Sequence, residues 1–398
     1  MQVIRVIQNK LFKEINKSFI SILIGPRQVG KTYLLKVIQQ ECEKRKLSTA
    51  YYNLEDPRDL QLFQGSDIEI LNNIFNNVDV VFIDEFHYLK NATKIFKIHY
   101  DSNNSKKIYA SGSSSLEIHK HLKESLAGRF RLTKIFPLYY KEIKQLNFFD
   151  ENYFLNFGGL PGLIHEDTTE EKIGLLKNII ETYLFKDIKS LIKEENIRAY
   201  NNLLYIIAQN QGSTVSMASY AKEVGMSEPT IKYYLELMAQ TFVCFPLESY
   251  SKNLANELKK TKKYYLYDLG VRNMILNDFS SIHLRQDKGA IIETYIFLSI
   301  IKQLKANMDV KFWRTRQGNE VDFIVLKNRV PYPIEVKAGE TKYAIPSGLK
   351  VFLTKYPDSP YGIVFSADKD RDIEFHDRVV RFINWRNAED IDFMQNVD

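Results

Sequence analysis

The octapeptide Gly25-Pro26-Arg27-Gln28-Val29-Gly30-Lys31-Thr32 has the residue types and spacing that binding a polyphosphate requires. Gly25 and Gly30 let the backbone curl so that successive N–H groups turn inward around phosphate oxygens. Lys31 is placed to reach the β- and γ-phosphates, and the Thr32 hydroxyl to take one position on Mg²⁺. Pro26, Arg27, Gln28 and Val29 form the body of the loop. Tyr33 follows where a helix opens, and the partial positive charge of a helix N-terminus favours an anion there. A second acidic element, Asp84-Glu85, closes the apolar run 78–83. Asp84 is expected to hold the magnesium through water and Glu85 to polarise the attacking water, because phosphoryl transfer needs positioning and charge neutralisation more than covalent help. The two elements imply ATP and Mg²⁺ as cofactors.

Further residues could complete that chemistry. In Ser111-Gly112-Ser113-Ser114-Ser115, Ser113 is the best placed to sense a γ-phosphate, and a helix cap is the equal alternative. Arg129, in Leu126-Ala127-Gly128-Arg129, could stabilise transition-state charge, or it could be an ordinary surface arginine. Near the end of the chain stands a separate constellation, Asp322, Glu335 and Lys337. Glu335 and Lys337 are two apart and so share one face of a strand. A hairpin near 327–329 would bring Asp322 beside them, and Glu293 on a preceding helix could complete a carboxylate cluster. Trp313, Arg314 and Arg316 precede it and could contact a nucleic-acid backbone. The bland alternative is a set of solvated charges at strand ends.

These residues must be held by regular elements, and the hydrophobic pattern supplies them. The first third alternates apolar runs at 19–24, 49–54, 78–83, 107–111 and 132–136 with amphipathic helical stretches, which predicts a mostly parallel sheet covered by helices. The phosphate loop and the acidic pair then fall at the carboxyl ends of the first and third strands, the edge where open α/β sheets bind ligands. From about 142 to 211 the pattern is nearly all helix, broken by Gly158-Gly159-Leu160-Pro161-Gly162. A compact helical pair follows at 219–240, with Ser227 as a cap and Pro229 in a first turn. Short apolar runs at 243–246 and 264–267 could form a wing. After 289 come a helix and strands at 310–314, 321–326 and 332–336. With 398 residues, two to four domains are expected. Two distant cysteines, Cys42 and Cys244, form no zinc-type pair. The excess of 55 basic over 49 acidic residues is mild and permits nucleic acid without demanding it. No apolar stretch nears eighteen residues and the N-terminus reads as no signal peptide, so a cytoplasmic protein with no membrane partner is expected.

The ordered set of phosphate loop, Asp84-Glu85, Ser-Gly-Ser-Ser-Ser, Leu-Ala-Gly-Arg, Pro137-Leu138 and Gly-Gly-Leu-Pro-Gly resembles prokaryotic AAA-type ATPases, which are similar in turn to the signal-transducing STAND ATPases. The resemblance implies an α/β fold with a P-loop NTPase parallel sheet, then a helical and winged-helix region, then a smaller restriction-endonuclease-like α/β domain. The corresponding boundaries are 1–145, 146–212 (a helical lid), 213–284 (the winged helix) and 285–398. It implies that 159–161, with Pro161, contacts the nucleotide base region, and that Arg129 acts on a neighbouring subunit's ATP in a homo-oligomeric ring. In the last domain, Asp322, Glu335 and Lys337 resemble a nuclease core. There the carboxylates, joined by Glu293, bind a divalent metal and the lysine positions or activates water against a phosphodiester. The function implied is an ATPase acting on DNA. The alternative is an ATP switch that holds a protein partner and carries an inactive nuclease-like domain. The presumed recognition helix, with Lys232 set against Glu228 and Glu236, favours packing over sequence-specific DNA reading.

Overall fold

The computed structural model describes residues 3–89, 91–102, 106–113, 126–147, 149–182, 196–251 and 261–391. The chain forms two compact units. The first comprises Met1–Leu138, Leu160–His165 and Glu236–Val243, and the second Tyr139–Gly159, Glu166–Leu235 and Cys244–Asp398.

The first unit is built on five parallel strands: β1 Ile20–Gly25, β2 Thr49–Asn53, β3 Val80–Asp84, β4 Lys107–Ser113 and β5 Phe130–Lys134, in the order β2-β3-β4-β1-β5. β1 and β3 are buried along their whole length, as their continuous apolar sequences require of strands covered on both faces. Helix Lys31–Lys44 buries Leu34, Leu35, Ile38 and Cys42, one stripe at helical spacing. The register sets Gly25 beside Ser113 and Ile83 beside Ala110, so β1, β3 and β4 end at one edge. All five strands lie within two residues of their expected positions.

The second unit contains an eight-stranded mixed sheet. Its strands are β6 Cys244–Ser249, β7 Lys263–Leu266, β8 Met308–Arg314, β9 Glu320–Lys327, β10 Val330–Val336, β11 Tyr361–Ser366, β12 Arg371–Phe375 and β13 Arg378–Asn384. Their order is β12-β13-β11-β10-β9-β8-β6-β7. Where a wing was expected, β6 and β7 pair antiparallel, and they are not a separate module. β6 runs parallel to β8, with Glu248 beside Lys311, and extends the C-terminal sheet. No structural break falls at 284, because the outer edge of β8 needs a hydrogen-bonding partner and β6 supplies it. Helix Met217–Val224, capped by Ser216 and ended by Gly225, leads to helix Glu228–Gln240, whose Lys232, Tyr233 and Glu236 are exposed. Helix Lys288–Gln303 is buried along most of its length and carries Glu293 to the sheet. Near the end of the chain Glu389, buried, accepts from the backbone N–H groups of Tyr140 (3.0 Å) and Lys141 (2.9 Å). Arg386 pairs with Glu151. Among the described residues no helix is long and apolar enough to cross a membrane.

Candidate active site

At the carboxyl edge of the first sheet, β1 ends in Gly25 because nothing larger fits: a Cβ there would lie 2.1 Å from the Ile135 carbonyl oxygen. Gly25→Ala is therefore expected to cost about 1–3 kcal/mol by forcing backbone apart. Urea denaturation would show this as an earlier midpoint for the first unit, and an unchanged midpoint would contradict the packing. The loop turns through Gln28 at φ 61° and Gly30 at φ 89°, both left-handed. Helix Lys31–Lys44 then begins, so its first N–H groups face the loop.

Lys31 is buried, and its Nζ donates to the carbonyl oxygens of Gly25 (3.1 Å) and Pro26 (2.8 Å). Burial pushes its ammonium below the usual lysine range, and the charges of Glu85 and Asp84 pull it back up. Thr32 Oγ1 donates to Asp84 Oδ2 at 2.6 Å, so the hydroxyl and carboxylate expected on magnesium are already in contact. Tyr51, from β2, donates to the same oxygen at 2.7 Å, and the Ser111 hydroxyl donates to Asp84 Oδ1. Glu85 takes left-handed backbone angles (φ 53°, ψ 46°), which turn it off the strand, and its carboxylate lies 3.2 Å from His87 Nδ1. The residues present therefore fit a magnesium-bound triphosphate: an inward loop, a lysine, a hydroxyl and two acids at one edge.

Sequence reasoning missed three of these neighbours. Tyr51 and Ser111 hold Asp84. Arg5, buried, donates from Nη1 to Val29 O (3.0 Å) and from Nη2 to Phe136 O (2.8 Å), tying the loop to the segment after β5. Tyr33 reaches Val3 O at 3.5 Å. Pro161 does stand at the loop: its Cγ lies 3.7 Å from where a Cβ on Gly30 would sit. The Ser113 backbone pairs with Gly25, and its side chain lies outside the described residues. Arg129 is at the other edge. Its carbonyl accepts from Ile20 N at the start of β1, about 17 Å from the loop at ~3.3 Å per residue. Its guanidinium pairs with Asp101 at 2.6 Å. Arg129 cannot serve the phosphate loop of its own chain.

The second unit brings the C-terminal constellation together. β9 carries Asp322, β10 carries Glu335, Lys337 follows β10, and helix Lys288–Gln303 carries Glu293. Lys337 Nζ donates to Glu335 Oε1 (2.8 Å), and Val336 N donates to Asp322 Oδ2 (2.8 Å). Two residues of β7, unforeseen in the sequence, join them. Tyr265 donates to Glu293 Oε1 (2.6 Å), while Lys263 lies 3.6 Å from Glu293 and 2.6 Å from Glu320. Burial, then the Asp322 charge, pushes Glu293 up to about 7, with Lys263 opposing. Burial and then Asp322 also push Glu335 up to about 7, and burial raises Asp322 itself. Glu335 Oε2 is buried with no hydrogen-bond partner among the described residues. As they stand, no three or more described Asp, Glu, His and Cys residues form a group able to hold a metal ion. Lys263 and Lys337 lie against the carboxylates, and burial favours the protonated forms of Glu293, Asp322 and Glu335. The donor set and the orphaned Glu335 oxygen are nonetheless of the kind a hard divalent cation takes.

Comparison with known proteins gives three successive matches. Residues 17–144 match the family described as AAA domain, residues 150–281 a domain of unknown function (DUF8612), and residues 288–387 a domain of unknown function (DUF4143). An uncharacterized protein of Methanocaldococcus jannaschii is 27% identical over 329 residues, covering 77% of this chain and 72% of that protein. One from Mycobacterium tuberculosis is 22% identical over 335 residues, covering 83% and 73%. Among solved structures, the Aeropyrum pernix Orc1 protein in complex with DNA aligns over 70% of this chain and 94% of that one, at 10% identity and a TM-score of 0.32.

Proposed function

From the premise that residues 17–144 are an AAA-type P-loop ATPase domain, we propose that the chain hydrolyses ATP with magnesium and couples the cycle to action on DNA. The observation that carries the ATPase reading is the 2.6 Å contact between Thr32 and Asp84 beside the buried Lys31. Magnesium, when bound, would neutralise phosphate charge as it develops. Thr32 and Asp84 are the residues to hold it, Lys31 binds phosphate, and Glu85 takes the proton of the attacking water. Pro161 borders the nucleotide. The C-terminal cluster is read as a phosphodiester-cutting centre of restriction-endonuclease type, in which Glu293, Asp322 and Glu335 hold a divalent cation and Lys337 orients water. The helical pair and the β6–β7 strands have the parts of a winged helix. The exposed face of helix Glu228–Gln240, with one lysine against a glutamate, supports a packing role for it.

One observation favours the rival switch reading: Lys31 and Asp84 are engaged by the chain's own carbonyls and hydroxyls, contacts with which a bound nucleotide must compete. ATP turnover with and without single-stranded, duplex and branched DNA separates the two. Stimulation by one DNA form is expected; tight nucleotide retention with negligible turnover on every form would support the switch and a protein partner.

Arg129, which cannot reach its own loop, is read as acting across a subunit interface in a homo-oligomeric ring, the alternative being a surface arginine paired with Asp101. Arg129→Ala and Lys31→Ala proteins are each expected to lose turnover, and mixing them to restore part of it. No recovery under conditions shown to exchange subunits would remove the interface role.

A further inference from the structure

A cavity of about 720 Å³ lies at the Arg314 end of β8, within the size range of small-ligand sites. Its charge is one-sided. Arg314, Arg316 and Lys355 line it, and no carboxylate does among the described residues. Arg316 is exposed and has no carboxylate partner among the described residues, whereas Arg314 donates to Thr214 Oγ1 (2.8 Å) and stands 3.7 Å from Glu320. The floor is aromatic: Trp313 Nε1 donates to the Tyr356 hydroxyl (3.3 Å), and Lys355 sits 5.9 Å from both ring centres. Ser249 also lines the cavity, is 1% exposed, and has a buried hydroxyl without a partner among the described residues. Three cations around one cavity with no carboxylate among its described lining are an arrangement that a ligand bearing phosphate oxygens completes.

We propose that this cavity binds the phosphorylated terminal nucleotide of a nucleic-acid strand, with Arg314, Arg316 and Lys355 on its phosphate. A strand end is preferred over a free nucleotide because a chain of contacts joins the cavity to the carboxylate cluster. Arg314 is linked to Glu320, Glu320 to Lys263 (2.6 Å) and Lys263 to Glu293 (3.6 Å). A strand anchored in the cavity would then run towards Asp322. The inference rests on reading that cluster as a phosphodiester-cutting centre, since the cluster gives the strand its direction.

The test is fluorescence anisotropy with the full-length protein in EDTA, so that no metal-dependent cleavage intervenes. The probes are a 3′-labelled oligothymidylate carrying a 5′-phosphate, the same strand with a 5′-hydroxyl, and its counterpart with label and phosphate exchanged between the ends. Arg316→Glu and Lys355→Glu are expected to weaken one phosphorylated probe about tenfold or more, as removal of a charge-assisted hydrogen bond does. The hydroxyl probe should be affected much less. Thymidine 5′-monophosphate and inorganic phosphate should compete only at far higher concentration. Wild-type binding by the charge-reversed proteins overturns the site, and equal losses on phosphorylated and hydroxyl probes overturn the terminal phosphate as its ligand. Competition by the free nucleotide as strong as by the strand overturns the strand end in favour of a small effector. If no DNA is ever cut yet Arg316→Glu loses the probe, the cleavage reading falls and the binding site stands. If DNA is cut and Arg316→Glu binds normally, the reverse holds.

Discussion

Glu85→Gln is expected to lower ATP turnover by about 10²–10⁴-fold while leaving nucleotide affinity within a few-fold of the wild type. The asymmetry follows from where the two acids sit. Asp84 is buried at the strand end and held by three hydroxyls, from Thr32, Tyr51 and Ser111, so its role is to keep the metal position in place. Glu85 is turned off the strand by its left-handed backbone and rests near His87, a partner it can leave when a water must be oriented. Glutamine keeps the shape and loses the proton acceptor. Lys31→Ala should instead lose productive binding, because no other described lysine is buried at the loop. Phosphate release and equilibrium binding of a fluorescent ATP analogue separate the two variants. Wild-type turnover in Glu85→Gln would reassign the base.

Asp322→Ala and Lys337→Ala are each expected to abolish cleavage of whichever DNA form the wild type nicks, while ATP hydrolysis persists. Lys337 should matter more for cutting than for metal affinity, because it is assigned to water rather than to the cation. The assay is supercoiled, linear, single-stranded and branched DNA under Mg²⁺ and Mn²⁺, with and without ATP. A pH dependence accompanies it. Glu293 and Glu335 are held protonated up to about 7, whereas in the unfolded chain they ionise in the ordinary carboxylate range. Between those limits the folded state binds more protons than the unfolded, so metal-free stability must fall as pH rises through that window. A divalent cation should restore it above pH 7 and do little near pH 5.5, even when Lys31 is mutated. If no DNA is cut and Asp322→Ala leaves metal-dependent stability unchanged, the last domain binds rather than cleaves.

The parts of the fold readable from sequence were those fixed by local period. The buried runs of β1 and β3, the loop that opens helix Lys31–Lys44, and the acidic pair are each contiguous, and each was found within two residues. What register decides was not readable. Ser111 and Ser113 are two apart and share a face, so alternation cannot choose between them; the pairing of Ile83 with Ala110 sets Ser111 at the level of Asp84. Tyr51 is two residues short of the end of β2 and reaches Asp84 only because its ring is long. Arg5 lies 24 residues before the carbonyl it holds, with no pattern linking them. Lys263 and Tyr265 were invisible for the same reason, because β7 joins the cluster through β6 and β8, and pairing across sixty residues leaves no trace in either segment. The division expected at 284 falls between the matches at 150–281 and 288–387, yet the sheet runs through it, because a change in sequence pattern marks a change of element, not the edge of a sheet.

That continuous sheet bears on how such proteins can be assembled from parts. Residues 285–398 have the length and composition of an exchangeable cassette, yet cutting there would strip β6 from β8, leaving the N–H and C=O groups beside Lys311 and Phe312 as an open edge for another chain to pair with. It would also leave the buried Glu389 carboxylate without the Tyr140 and Lys141 N–H groups that satisfy it. Any gene fusion that exchanged only this last piece would have to bring a new partner for the edge strand and a new cap for a helix some 250 residues upstream. In the fold itself, the piece that keeps its edge strand paired and its buried carboxylate satisfied is the whole second unit.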